Sequence, residues 1–315
     1  MPVAASGKTQ APGLIRRAVI VGVVPLALVL SSCVAGPAAQ PSTSLSVPNS
    51  SSSTLPVPAS NAPLETTQSS NKAPIYWIGR TGDNVFLYRE FREVGDQDNP
   101  VTRALRAMMS ETPLDPDFFT SWQSPKELET SISGQNIITV DVSEDAFNST
   151  LGADMAELAV QQLVHTATAA AASSGLVDTS RQIQVVVLVD GHTDYKAFGH
   201  VRLGAPMARA AGMAAPVWII DPQEDVSAAK GTVKVLGRST DKGDRLRWQL
   251  LRENSGQASI YLSGETVSST DADSAGLFTL DLTLEPGTYQ LRVSRIDEES
   301  PGLPAYTDTR KFHVG

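Results

Sequence analysis

"IITVDV", residues 137–142, decides how this chain is read. Ile138, Val140 and Val142 alternate with Thr139 and Asp141, the period of two that makes one face of a strand apolar and the other wet. A run with a different period follows. Ala156, Val160, Leu163, Ala167 and Ala170 fall on one stripe at helical spacing, and Asp154 is expected to cap the long helix that carries them. Beyond it "IQVVVLVD" (183–190) is apolar at nearly every position, as expected of a central strand buried on both faces. Strand, long helix and strand in this order require helices packed on a sheet.

Toward the N-terminus, "PIYWIG" (74–79) and "VFLYREFREV" (85–94) read as two strands joined by the turn "RTGD". Asn99 before Pro100 is an N-cap followed by proline at the first helical position, and Val101, Leu105, Met108 and Met109 recur at helical spacing. The order β-β-α-β-α-β predicts an α+β fold for residues 74–209, one sheet packed with two helices. The pieces "VTRALRAMM", "ITVDVSEDAF", "ELAVQQLV", "VVVLVDG" and "FGHVRLGAPMAR" resemble a GerMN domain. That module belongs to sporulation and spore-germination lipoproteins and their relatives in non-sporulating bacteria. The resemblance implies kinship with ring-building folds that pack edge to edge in envelope complexes. It brings no catalytic residues with it.

After "ARAAGMAA" (208–215) the pattern is strands alone, over residues 216–315. "VWII", "TVKVLGR", "RLRWQLLR", "ASIYLSGE", "LFTLDLTL", "YQLRVSR" and "RKFHV" are short and separated by turn signals such as "STDKGD" and "EPGT". Leu246, Trp248 and Leu250 point one way, and Phe278, Leu280, Leu282 and Leu284 repeat the alternation, so an all-β sandwich is expected with Trp248 in its core. "VWIIDPQE", "VKVLGRS", "LRWQLL" and "GLFTLDLTLEPGTYQLRV" resemble the Gmad2 immunoglobulin-like domain, which is frequently found after GerMN in one chain.

The first seventy residues have another character. Arg16 and Arg17 precede "AVIVGVVPLALVL", an apolar run too short to span a bilayer and interrupted by Pro25. This is the layout of a secretory signal, and it fits the general secretory route better than twin-arginine export. Leu30-Ser31-Ser32-Cys33 matches the bacterial lipobox. The resemblance implies cleavage after residue 32, a diacylglyceryl group on the Cys33 sulfur and acylation of the new amino terminus. Two or three acyl chains hold a protein on a membrane where one does not. The expected location is therefore the extracytoplasmic face of the cell membrane. Residues 33–73 are rich in Ser, Thr and Pro with no apolar period, and are expected to be a disordered tether spanning on the order of 35 Å.

Charge and cysteine content exclude several functions. The formal net charge is −9, and residues 1–32 carry Lys8, Arg16 and Arg17 with no acid, so the remainder stands three charges lower, at −12. A nucleic-acid partner needs a basic face that this balance does not supply. One cysteine rules out an internal disulfide and any multi-thiolate zinc site. No nucleophile elbow, Walker loop, dinucleotide fingerprint or His-Glu-x-x-His occurs. "DGHTDYKAFGH" gathers Asp190, His192, Asp194 and His200, but its spacing matches no metal motif and Asp-Gly after a strand makes a turn. Glu144 and Asp145 read as turn chemistry, "DEE" (297–299) as a solvated loop, His165 as a boundary ring needing no ligand, and His313 as part of the last strand. No catalytic, metal or cofactor site is expected. A non-enzymatic, lipid-anchored binding or scaffold protein is the leading reading. Its expected partners are envelope proteins, with peptidoglycan binding as the alternative and a homo-oligomer left open.

Overall fold

The computed structural model describes residues 72–254, 256–296 and 304–315. The expected signal segment, Cys33, "DEE" at 297–299 and the tether as far as Asn71 lie outside the described residues. The first strand starts at Lys72, two residues inside the stretch assigned above to the tether.

β1 (Lys72–Thr81) and β2 (Asn84–Glu93) form an antiparallel hairpin, turned at Gly82, whose φ of +58° suits a residue without Cβ. α1 (Pro100–Ser110) begins as expected: the Asn99 side chain accepts from the backbone N–H groups of Val101 and Thr102, and Val101, Leu105, Met108 and Met109 are buried. β3 (Phe118–Phe119) then adds to β1, giving a sheet ordered β2-β1-β3. β4 (Leu128–Ile132), β5 (Ile137–Val142) and β6 (Gln184–Val189) make a second sheet, with β4 antiparallel and β6 parallel to β5. α2 (Ala153–Ser173) lies between β5 and β6 in the chain. β7 (Lys196–Ala197) and β8 (Val201–Arg202) form a short ribbon.

Three expectations are corrected here. The strands of this region form two main sheets, not one, because α2 is buried on nearly every side and packs on both β1 and β6. Its polar residues serve the first sheet. Thr166 Oγ1 accepts from Tyr76 N (3.1 Å) and Gln162 Nε2 donates to Tyr76 O (2.9 Å), satisfying β1 backbone beyond the end of β3. Second, β6 is an edge strand of its sheet. Its free side is covered instead by loop backbone: Val185 and Met207 exchange two hydrogen bonds of 2.8 Å, which explains an apolar sequence without a further strand. Third, Asp154 is not the cap of α2. Gly152 occupies that place, and Asp154 sits in the first turn, where its charge complements the helix dipole.

The rest of the chain is β9 (Val217–Asp221), β10 (Val226–Ala228), β11 (Gly231–Ser239), β12 (Arg245–Asn254), β13 (Gln257–Val267), β14 (Leu277–Leu284), β15 (Gly287–Ile296) and β16 (Pro304–Val314). They form a five-stranded sheet, β10-β16-β15-β12-β13, and a three-stranded one, β14-β11-β9. One apolar cluster draws on both sheets, from Val233 and Phe278 to Leu250, Tyr289 and Phe312. Trp248 packs at the rim of this cluster and is only half-buried, a correction to its expected core position. Its indole lies across Gly264 of β13, where a Cβ would stand 2.7 Å from Trp248 Cζ2.

β9 joins the two cores. Val217 and Ile219 face the cluster between the last two sheets, while Trp218 and Ile220 belong to the cluster of Ile75, Trp77, Leu105 and Leu163. Alternation along one strand thus commits opposite faces to different cores. The stretch leading into it is packed as well, with Ala215 N donating to Leu87 O at 2.9 Å.

Candidate functional site

The strongest concentration of buried charge lies where β2 and the α1–β3 loop meet β9 and β16. Glu90, on β2, accepts from the backbone N–H groups of Leu114 (3.0 Å) and Asp115 (2.8 Å), which fixes the loop. Asp115 Oδ1 accepts from Asp117 N at 2.9 Å, leaving Oδ2 to meet Arg310 Nη1 at 2.6 Å. The same nitrogen lies 3.1 Å from Asp308 Oδ1, and Asp308 Oδ2 accepts from Ile219 N at 2.7 Å. Arg310 also stacks its guanidinium over the Phe118 ring, 5.2 Å from the centroid. Asp115 and Arg310 are each 2% exposed and Asp308 is 3% exposed.

Two carboxylates therefore share one guanidinium out of water. Burial pushes the Asp115 carboxyl up to about 7, against the opposing pull of Arg310. Burial raises Asp308 too, again with Arg310 opposing. For Arg310 burial works against the cation, but Asp308 and Asp115, with Glu90 and Glu224 beyond them, outweigh it and raise its pKa. Tyr88 beside them is raised by burial first and by Asp308 second. A buried ion pair of this kind adds little net stability yet fixes which surfaces meet.

Next to this network an open cleft of about 620 Å³ runs between the β1–β2 turn and β16, lined by Arg80, Asn84, Phe118, Arg292, Tyr306 and Asp308. Thr307 N donates to Thr81 Oγ1 at 2.9 Å across its inner end, and Phe86 meets Tyr306 edge-on at 5.7 Å.

A second buried cluster lies behind β1. Arg89 sits over the rings of Phe91 (5.1 Å), Tyr76 (5.8 Å) and Trp218 (5.9 Å), again across the two cores. Arg209 donates to Thr168 Oγ1 (2.5 Å) and to His165 O (2.9 Å) and lies over the Tyr76 ring, 5.4 Å from its centroid. The His165 ring stands edge-on to Tyr76 at 5.1 Å. Burial, with Arg209 adding to it, holds His165 well below its ordinary pKa, so it is a neutral core ring and not a boundary one.

The residues singled out between 190 and 200 do not converge. Asp190 (φ +49°) accepts weakly from Glu144 N at 3.3 Å, His192 exchanges backbone bonds with Val189, and Asp194 pairs with Arg202 at the surface. A ring nitrogen of His200 lies 3.0 Å from Leu151 O, on another loop. Among the described residues no group of three His, Cys, Asp or Glu side chains could hold a metal ion. Glu144 and Asp145 open a 3-10 turn, and His313 Nδ1 lies 3.1 Å from Thr288 Oγ1 within the sheet. Among the described residues no helix is long and apolar enough to cross a membrane.

Sequence reasoning missed Asp115, Asp308 and Arg310. A signal was available for two of them. Phe312 and Val314 face inward on β16, and counting back by two places Arg310 and Asp308 on the same buried face.

No curated protein matches the chain. Among solved structures it is similar to the first GerMN domain of the sporulation protein GerM from Bacillus subtilis, at 14% identity over 44% of this chain and 97% of that one, with a TM-score of 0.34. It is also similar to the tandem GerMN domains of the same protein, at 13% identity over 63% of this chain and 61% of that one, with a TM-score of 0.35. Residues 74–195, from β1 to the loop before β7, match the model of the Germane family, described as sporulation and spore germination.

Proposed function

We propose that the protein is a lipid-anchored, non-enzymatic binding or scaffold component of the bacterial envelope. In this reading Cys33 carries the acyl chains and residues 74–209 form a GerMN-like module. Residues 216–315 form a Gmad2-like, immunoglobulin-like sandwich, and the process served is envelope assembly or a step related to sporulation and germination. The observation that carries the reading is the junction at Arg310. Among the described residues, three shifted ionisable groups, Asp115, Asp308 and Arg310, join two cores and are bonded to one another and to backbone. Asp115 and Asp308 border the cleft, but their oxygens are already bonded to Arg310 and to backbone N–H groups, whereas perturbed groups in an enzyme would keep chemistry to spare for a substrate. A molecule that instead locks two halves together presents both outer surfaces in one fixed relation, which suits docking.

Partner capture tests this. Cross-linking in intact cells, followed by recovery of the tethered protein, should enrich specific envelope proteins over a Cys33→Ala control. Equal recovery from both strains removes the anchor from the account, and no enrichment in either removes the docking role. A second reading has one observation in its favour: the cleft beside Arg310 offers a half-exposed Tyr306 with Arg80, Asn84 and Arg292, a mixture suited to a wall glycan. Co-sedimentation of the chain from residue 57 onward with purified wall material separates the two.

A further inference from the structure

β13 is an 11-residue strand at the edge of the five-stranded sheet, bonded to β12 on one side only. Among the described residues, seven large apolar side chains are exposed, and four of them lie on this strand: Ile260 (58%), Tyr261 (41%), Leu262 (37%) and Val267 (58%). Edge strands that stay single are usually short or carry lysine, proline or an unpaired charge. The opposite edge of this sheet, β10, has three residues, and the edge strand β14 carries Asp281 at its middle. β13 has no lysine, arginine or proline. Its one charged residue, Glu265, is paired within the same molecule to Arg245 at 3.0 Å and Arg247 at 3.5 Å. The bulge against β12 near Leu262 leaves ladder on both sides of it, over 257–260 and 262–267.

We infer that β13 pairs edge to edge and antiparallel with β13 of a second copy, merging two five-stranded sheets into one. A strand whose sole charge is neutralised at home offers no charge code for a different partner to read, and it raises no repulsion against its own copy. The central Ile260–Leu262 patch meets its counterpart near the two-fold axis, as an isologous contact requires. With 37–58% of each of these four residues exposed, the paired strands bury on the order of 1,000 Å² in total, the small end of specific interfaces. Such a contact is weak in dilute solution and effective where copies are confined together. The inference deepens the docking reading by naming a surface and a partner, and it does not depend on a lipid at Cys33.

The chain from residue 57 onward, which contains all the described residues, is the material for the test. Sedimentation velocity from about 2 to about 500 µM should show a monomer giving way to a dimer by mass action. Ile260→Lys should weaken that dimer at least tenfold, while Val226→Lys, on the opposite edge, leaves it unchanged. If Ile260→Lys unfolds the protein, Val267→Lys takes its place. Amide exchange within 257–267 should slow as concentration rises. A monomer throughout the range, a dimer indifferent to the β13 lysine, or β13 exchange independent of concentration each overturns the inference. Any of these leaves capture of other envelope proteins untouched.

Discussion

Replacing Arg310 by methionine tests the reading of the junction, because the substitution keeps a stem that can lie on Phe118 and deletes the charge. Two carboxylates would be left facing one another at 2–3% exposure. Breaking a buried pair by removing one partner costs about 3–5 kcal/mol, and here two acids lose the same partner. For a body of this size that is a fall in melting temperature of roughly 6–20 °C. The loss should also depend on pH. In the native protein Asp115 is raised from 3.8 to about 7, so the fold favours its protonated form. The stability contributed by that proton is complete below pH 4 and is lost as pH rises through 7. At 1.36 kcal/mol per pH unit, the window amounts to roughly 4 kcal/mol. Removing Arg310 deepens this dependence, since the cation is gone and only backbone N–H groups then oppose protonation of either acid. Urea denaturation followed by tryptophan fluorescence should therefore find Arg310→Met far weaker than the native protein at pH 8 and much closer to it at pH 5. Asp115→Asn should flatten the native profile between pH 4 and 7. A loss under about 1 kcal/mol at pH 8, or a loss equal at both pH values, refutes the claim that a shared guanidinium holds two buried carboxylates.

Two other substitutions probe the two cores. Gly237→Ala places a Cβ 2.1 Å from Cζ of Phe278, whose ring lies across the glycine, so it should cost about 1–3 kcal/mol in a thermal melt; an unchanged midpoint means the ring has room to move. His165 is kept neutral in the fold and has an ordinary pKa of 6.5 when unfolded, so its contribution is complete above pH 6.5 and declines as pH falls below that value. His165→Leu should remove that acid-side decline, seen as a shallower fall of urea midpoint between pH 6.5 and 5; an unaltered slope shows that the ring is not held neutral.

What the amino-acid order disclosed, and what it concealed, divides by distance along the chain. Asn99-Pro100, the alternation of Ile138, Val140 and Val142, and the stripe from Ala156 to Ala170 are local statements, and each element stands where its pattern puts it. The single sheet expected of 74–209 was wrong because no local pattern reports that α2 is buried all round. Nor does one report that Tyr76 finds its backbone partners 86 and 90 residues away, on Gln162 and Thr166. The edge position of β6 was hidden for the same reason, since Met207, its cover, lies in "FGHVRLGAPMAR", which carries no strand period of its own. The junction is the extreme case. Asp115 and Arg310 stand 195 residues apart and Thr81 and Thr307 226 apart, so neither segment alone has any reason to hold its charge or its hydroxyl there.

The Ala/Gly/Met stretch at 208–215 has the composition of a boundary, yet Trp218 and Ile220, just beyond it, complete the first core, and Asp308 and Arg310 at the far end of the chain close over Asp115. A cut at 215 would strip two large apolar side chains from one half and leave Asp308 and Arg310 of the other open to water. Either half alone would thus expose at the cut face both apolar surface and ionised groups placed for burial. The two parts are consequently coupled in folding, and a ligand gripping the cleft between Arg80 and Tyr306 holds both at once. Anything that pulls β16 away from the hairpin must first separate Arg310 from Asp115, and because burial raises the Asp115 carboxyl that separation is easiest at high pH, where the acid is ionised and gains most from water.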